Sequence, residues 1–452
     1  MPTPLTRSFG RFASEIRFES LPAEAVEVVR TGFTDCVAVM LAGRDEPVAR
    51  IVRDSLGSRG VAREARLLLG GETANAPDAA LANAVAGHAL DYDDVALGGH
   101  PSVVLVPAVL AEAEALGRSG REAVAAYVAG YETWARLIER EPDPYHRKGW
   151  HPTAVMGPVA AAAAAASLRR LSPEKATQAL GLAASLSAGV VANFGTMTKP
   201  FQAGRAAQSG VLAARLAEAG LTAAEDALEH SVGLMRALSP QGRVDLDKPL
   251  DDLGRDWLIT KRRLNVKKFP MCYGTHRVID GMLDLVLQND LKPGDVERVE
   301  VTIGKTQAAM LRNHRPSTGL EAKFSIEFAI ASALAARRAG LQQLTDDFVR
   351  RPEVQGLMER VTTATTDTVS TDDAAFSVAD SIRLQLAGGK KLQSPEIEAA
   401  RGHWSLPLSR EEMWRKFEDC TAGALPKSSA ERLFESLQSV ERIPSVRELA
   451  AA

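Results

Sequence analysis

Up to about residue 265 the chain is punctuated as a succession of helices, with polar caps placed where the first N–H groups of a helix lack acceptors. Pro22 opens one whose apolar positions Ala25, Val29, Phe33, Val37 and Met40 recur at the 3.6-residue period and stop at Gly43. Ser119 with Glu122 forms a capping box ahead of Val124, Val128 and Tyr131. Ser172, Pro173 and Glu174 begin another helix, and Thr222 with Glu225 one more. The run Ala160 to Ala166 lets neighbouring helix backbones approach closely, so a compact bundle is expected.

Between about residues 267 and 395 the period changes. Val299, Val301 and Ile303 alternate with polar neighbours, as do Ile382, Leu384 and Leu386 before Gly388-Gly389, and both patterns predict strands. Thr-rich Val361 to Val369 is a third candidate strand, and Ala322 to Gly340 reads as a helix packed on them. After Pro395 helical signals return, with Ser409 and Glu412 capping one helix and Ser428 and Glu431 another. The fold class expected is therefore mainly α with a smaller α+β domain. Residues 1–266 form a helical bundle, 267–395 an inserted α+β lid, and 396–452 helices that return to the bundle.

Two domains also suit 452 residues, a length at which a single hydrophobic core has stopped growing. The net charge of −3 is too small to recruit nucleic acid or an anionic membrane. The longest weakly polar run, Thr153 to Leu168, contains Pro158 and is mostly alanine, so it reads as a buried helix rather than a membrane span. Cys36, Cys272 and Cys420 are odd in number and far apart, which argues against a disulfide framework and a structural zinc site and fits a reducing cytoplasm. The N-terminus lacks the apolar core of a secretory signal, although its Arg/Ser content leaves a transit peptide open.

Four segments concentrate ionisable residues and glycine in apolar surroundings: 88–102, 149–153, 193–207 and 266–276. In the first, His88 and Asp91 lie three apart at the end of a helix begun near Pro77, so they share a face, and Gly98-Gly99 then turns the chain to present His100. The segment reads either as a solvated acidic helix end or as a carboxylate orienting an imidazole for acid–base work near neutral pH. Asp91, Asp93, Asp94 and the two histidines also suit a divalent cation. The string Asp91-Tyr92-Asp93-Asp94 matches the DxDD proton donor of some terpene cyclases, but aromatics at 5% are too few to line such a cavity. His151, between Trp150 and Pro152, stands at a loop-to-helix junction, as a simple cap or beside an anion. Lys199 precedes Pro200, Gln202 and Arg205 in a turn ahead of a helix, and reads as a surface lysine or a cation held at a site. Lys267 and Lys268, before Phe269-Pro270, read as a solvated linker or as part of an interdomain ligand cleft. Cys272 has no triad partner at a useful spacing and reads as structural.

Taken together these segments resemble the MmgE/PrpD family, which includes 2-methylcitrate dehydratase, cis-aconitate decarboxylase and iminodisuccinate epimerase. The match rests on His-Ala-Leu-Asp-Tyr-Asp-Asp (88–94) with Gly-His-Pro-Ser (99–102), Ala-Gly-Tyr-Glu (129–132), Gly-Trp-His-Pro (149–152) and Asn-Phe-Gly-Thr-Met-Thr-Lys-Pro (193–200). Ala-Gly-Arg-Ala-Ala (203–207), Lys-Lys-Phe-Pro (267–270), Ala-Lys-Phe-Ser (322–325) and Pro-Leu-Ser-Arg-Glu-Glu (407–412) continue it in the family's order. The resemblance implies a homodimeric enzyme with no metal and no organic cofactor, acting on a small carboxylate, with Asp91, His100, His151, Lys199 and Lys267 as catalytic residues. The substrate-binding set is Lys199, Lys267, Lys268, Gln202 and His276.

Three positions depart from the decarboxylase-like pattern: Val95 for threonine, Phe328 for tyrosine, and Phe201-Gln202 for Leu-His. Each removes a hydroxyl or an imidazole, which weighs against cis-aconitate as substrate. The expected reaction is proton transfer at the carbon next to a carboxylate by a lyase resembling 2-methylcitrate dehydratase. An epimerase of a small dicarboxylate is the runner-up. A non-catalytic helical binding module and a metal-dependent hydrolase are the rivals from other classes.

Overall fold

A computed structural model describes residues 3–56, 63–371 and 375–449. The architecture is mainly α with a smaller α+β part, and the chain divides into two units, residues 1–264 with 409–452, and residues 265–408.

Nine helices of the first unit set out its frame: α1 (Leu5–Glu15), α2 (Ala23–Ala42), α3 (Pro47–Leu56), α4 (Ala76–His88), α5 (Pro101–Leu116), α6 (Gly120–Ile138), α7 (Pro152–Arg169), α8 (Pro173–Ser185) and α9 (Thr198–Glu218). Their starts follow the cap chemistry of the sequence. Ser119 and Glu122 make the reciprocal capping box of α6, Ser172 accepts from Lys175 N–H at α8, and Asn75 accepts from Asp78 N–H at α4. Helix α7 is the centre of the unit, with Ala160 to Ala166 all buried. Small side chains are required there because backbones touch: a Cβ added at Gly210 of α9 would stand 2.3 Å from Ala161 Cβ and 2.5 Å from Ala162 N. Gly210→Ala is therefore expected to destabilise the fold by about 1–3 kcal/mol through overpacking, read as a lower urea midpoint at an unchanged slope. Buried Glu112 of α5 binds Arg169 of α7 and, at 3.0 Å, Arg215 of α9, so the three central helices share one neutralised charge cluster.

Gly43 closes α2 at φ −85°, outside the left-handed region. Its lack of a side chain matters because a Cβ would lie 2.1 Å from the Ala86 carbonyl oxygen of α4. Thr222 and Glu225 do not begin a helix; residues 221–230 run through turns. The acidic groups there are taken by α1, Glu225 pairing with Arg7 and Glu229 accepting from the Thr6 N–H at 3.1 Å and hydroxyl at 2.6 Å. In the C-terminal segment Ser409 and Glu412 cap the helix Arg410–Thr421 as expected. The helix Lys427–Leu437 starts instead from Pro426, which places Ser428 inside its first turn rather than at its cap.

In the second unit a four-stranded sheet has the order β4-β3-β5-β6, where β3 is Val296–Gly304, β4 Val361–Thr366, β5 Ser381–Leu386 and β6 Lys391–Gln393; β1 (Ala65–Arg66) and β2 (Thr73–Ala74) form a separate small ladder in the first unit. Strand β3 runs parallel to β4 and antiparallel to β5, pairing Val299 with Leu384 and Val301 with Ile382. Alternation puts these residues and Ile303 on one buried face, against Val278, Ile279 and Met282 of the helix His276–Gln288 and Phe328 of the helix Ile326–Ala336. The threonine-rich strand is shorter than expected and lies at the sheet edge, with Thr362, Thr363 and Thr365 exposed. No helix among the described residues is long and apolar enough to cross a membrane.

Candidate active site

Two tight turns and two proline-led helix starts bring the polar residues of the first unit together. Helix α4 stops at His88, and Asp91 takes a left-handed conformation with φ +52°, which short carboxylate side chains tolerate better than most. Asp91 is thus off the helix rather than on a shared face with His88. Ala96 and Gly99 exchange backbone hydrogen bonds at 3.0 and 2.9 Å across Leu97 and Gly98, both at positive φ, and this turn delivers His100. His100 and His151 occupy equivalent places, each the residue before an N1 proline, at the starts of α5 and α7. The His100 N–H donates to Thr153 Oγ1 at 3.1 Å, which ties the two helix starts to each other.

The carboxylate that organises the imidazoles is Asp93, not Asp91. His88 Nδ1 donates to Asp93 Oδ1 at 2.8 Å, and His100 Nδ1 stands 3.0 Å from Asp93 Oδ2 while donating to the Asp94 carbonyl oxygen at 3.0 Å. Burial pushes the Asp93 carboxyl up, but the two histidines outweigh it and hold the group well below the usual carboxylate range. Asp94 moves the opposite way, driven up by burial and by Asp35 and Asp93. The His88 and His100 rings meet edge to face at 4.4 Å, and the His151 ring stacks 6.3 Å from His88.

Lys199 is neither a surface lysine nor ahead of its helix. It lies buried in the first turn of α9, its Nζ 2.5 Å from Asp91 Oδ1 and 5.1 Å above the Phe194 ring. Asp91 Oδ1 is in turn 4.0 Å from His100 Nε2. Burial, with lesser contributions from His88 and Lys199 against the pull of Asp93, lowers His100 to about 4. Burial, then Lys199 and His88, hold His151 well below its ordinary value. Both imidazoles are therefore neutral near pH 7, so the site presents neutral bases beside one ammonium whose charge Asp91 shares. Neutral imidazole is the form a proton acceptor needs.

Of the residues singled out in the sequence, Asp91, His100, His151, Lys199 and Gln202 come together here. Gln202 holds His151, accepting from its Nδ1 at 2.7 Å. Lys267, Lys268 and His276 belong to the second unit, where Lys267 is buried, Lys268 half-buried, and His276 packed between Phe269 and Tyr273 at ring distances of 5.3 and 5.0 Å. Phe328 is fully buried in that unit's apolar core, 6.3 Å from Phe348, so its missing hydroxyl concerns core packing. Val95 is half-buried, between Asp94 and the turn that begins at Ala96.

Sequence reasoning paired His88 with Asp91 and weighed Asp93 only as a cation ligand, so it missed the His88–Asp93 pair, although His-x4-Asp is visible in the first motif. It also missed His146, lowered to about 4 by burial and Lys199, and the support from Lys416 described below. Ligand atoms of His88, Asp91, Asp93 and His100 lie within 4.8 Å of one another, a set that could hold a cation. Their chemistry fits one poorly: both Nδ1 atoms already serve Asp93 and the Asp94 carbonyl, and the Lys199 ammonium already occupies Asp91.

Residues 7–247 match the MmgE/PrpD N-terminal domain and residues 269–442 the MmgE/PrpD C-terminal domain. Cis-aconitate decarboxylase of Homo sapiens is 28% identical over 376 residues, covering 80% of this chain and 76% of that protein. The enzyme of the same name from Aspergillus terreus is 23% identical over 469 residues, covering 98% and 95%.

Proposed function

This chain belongs to the MmgE/PrpD family, and from that premise we propose that it is a lyase of a small di- or tricarboxylate that works by proton transfer at the carbon next to a carboxylate. The observation that carries the proposal is the convergence of two buried imidazoles, depressed to the neutral form, on one buried lysine. In this reading His151 accepts the proton. His100, fixed through Nδ1 by Asp93 and the Asp94 carbonyl, presents Nε2 toward the Asp91 and Lys199 pair. Lys199 is the proton donor and the electrostatic partner of the charge that develops on the substrate carboxylate. An ammonium in a dry site stabilises enediolate-like charge far better than it does in water.

A substrate carboxylate arriving at Lys199 competes with Asp91, which makes the ion pair a seat for an anion once Asp91 yields. Cis-aconitate decarboxylation is the activity of the relatives, and dehydration of a hydroxylated tricarboxylate is preferred here because Val95 lacks the hydroxyl of the decarboxylase-like pattern. Epimerisation of a dicarboxylate is the second reading, favoured by the pair of neutral imidazoles, since two bases can exchange one proton from two directions.

Incubation of citrate, 2-methylcitrate, cis-aconitate and an iminodisuccinate analogue in D₂O, followed by NMR, separates these outcomes. An alkene or CO₂ is the expected product. Solvent deuterium entering an otherwise unchanged acid replaces the lyase with the epimerase, and no deuterium incorporation or product from any of the four acids removes the proposal.

A further inference from the structure

Gln202 stands at the start of the second turn of α9, buried, with its side-chain amide between two partners. One is the Val190 carbonyl oxygen, 3.1 Å from Nε2. A carbonyl can only accept, so the amide atom facing it must be the NH₂. The other partner is His151 Nδ1, 2.7 Å from Oε1. An amide oxygen also can only accept, so His151 must carry its proton on Nδ1. Hydrogen-bond logic alone thus assigns both the amide orientation and the imidazole tautomer.

The first link of this chain is itself fixed by backbone. Trp150 and Val190 form an antiparallel bridge, in which the His151 N–H donates to the Gly189 carbonyl at 3.1 Å and the Val191 N–H to the Gly149 carbonyl at 2.9 Å. Gly189 leaves the room: a Cβ there would stand 2.3 Å from Ala154 Cβ and 3.1 Å from Gln202 Cδ. With Nδ1 protonated, the Nε2 of a neutral ring holds a bare lone pair, and His151 Nε2 is buried without a hydrogen-bond partner.

We infer that Gln202 is a positioning residue that sets the tautomer of His151 and so commits it to accept a proton through Nε2. The inference rests on the catalytic reading above, and it reassigns Gln202 from touching substrate to holding the base.

The test uses the full chain labelled with ¹⁵N-histidine, without ligand, and reads the tautomer from two-bond nitrogen–proton correlations. The His151 signals are identified by their loss in His151→Ala. Native His151 is expected as Nδ1–H. Gln202→Leu is expected to shift it toward the Nε2–H form that a free histidine side chain favours, and to lower kcat roughly 10- to 100-fold, the range seen when a group orienting a metal-bound histidine is lost. Gln202→His can accept with one ring nitrogen and donate with the other, so it restores Nδ1–H. Should Gln202→Leu fail to fold by circular dichroism, Gln202→Asn, too short to bridge both partners, is read in its place. An Nε2–H His151 in the native chain, or an unchanged Nδ1–H after Gln202→Leu, overturns the inference whatever the activity. The expected tautomers combined with normal turnover in His151→Ala overturn the catalytic reading instead and leave the hydrogen-bond assignment standing.

Discussion

His151→Ala is expected to turn over the carboxylate substrate roughly 10² to 10⁴ times more slowly than the native chain, the usual worth of a general acid or base. The loss should fall mainly on kcat, because a neutral imidazole contributes little to holding an anion in the ground state. The native enzyme carries a companion signature in its pH profile. Since burial and Lys199 hold His151 well below its ordinary value, the base form survives as the pH falls, and the acid limb of kcat/KM lies below the ordinary histidine range. His100, lowered to about 4, behaves likewise. Near-native kcat in His151→Ala, or an acid limb at the ordinary histidine value, would remove His151 as the base.

The second large effect is on stability and concerns a residue that none of the motifs contains. Lys416 of the C-terminal helix Arg410–Thr421 is buried, with Nζ 2.5 Å from Asp35 Oδ1 of α2. The same ammonium donates to the Tyr92 carbonyl at 2.8 Å and lies 4.0 Å above the Tyr92 ring. It therefore supports from behind the turn that carries Asp91 and Asp93. Lys416→Met leaves Asp35 buried without its counter-ion, and the fold is expected to lose about 3–5 kcal/mol in equilibrium denaturation. Burial raises the Asp35 carboxyl and Lys416 opposes it, so removing the lysine raises it further. A folded carboxyl that holds its proton more tightly than the unfolded one makes stability fall as pH rises, so the defect should be smallest in acid and grow toward neutrality. The double variant Asp35→Asn with Lys416→Met removes both charges and should recover much of the loss. An equal defect at all pH values would show that packing, not charge, is what Lys416 supplies.

The two effects separate what could be read in the chain from what could not. Helix starts were legible because caps are local: Ser119 with Glu122 and Ser409 with Glu412 satisfy backbone N–H groups three residues away, whatever the rest of the protein does. The buried faces of β3 and β5 were legible because alternation is a local geometric period. Where a cap signal failed, at Thr222 and Glu225, its acidic groups had been drawn off by α1, more than 200 residues away in the chain.

The candidate site divides in the same way. That His151 would stand at a helix start was legible from Pro152, since proline belongs at the first helical position, whereas His100 was expected only after a turn and its place at the start of α5 came from the structure. The sequence by itself determined the helical and α+β character of the parts and the residue types gathered in the motifs. The tertiary structure alone decided that Asp93 rather than Asp91 anchors the imidazoles, that Asp91 is spent on Lys199, and that His100 and His151 are neutral. The physical reason is range: caps and periods act over a few residues, whereas desolvation and Coulomb forces depend on which distant side chains share a water-excluded volume, and only folding settles that.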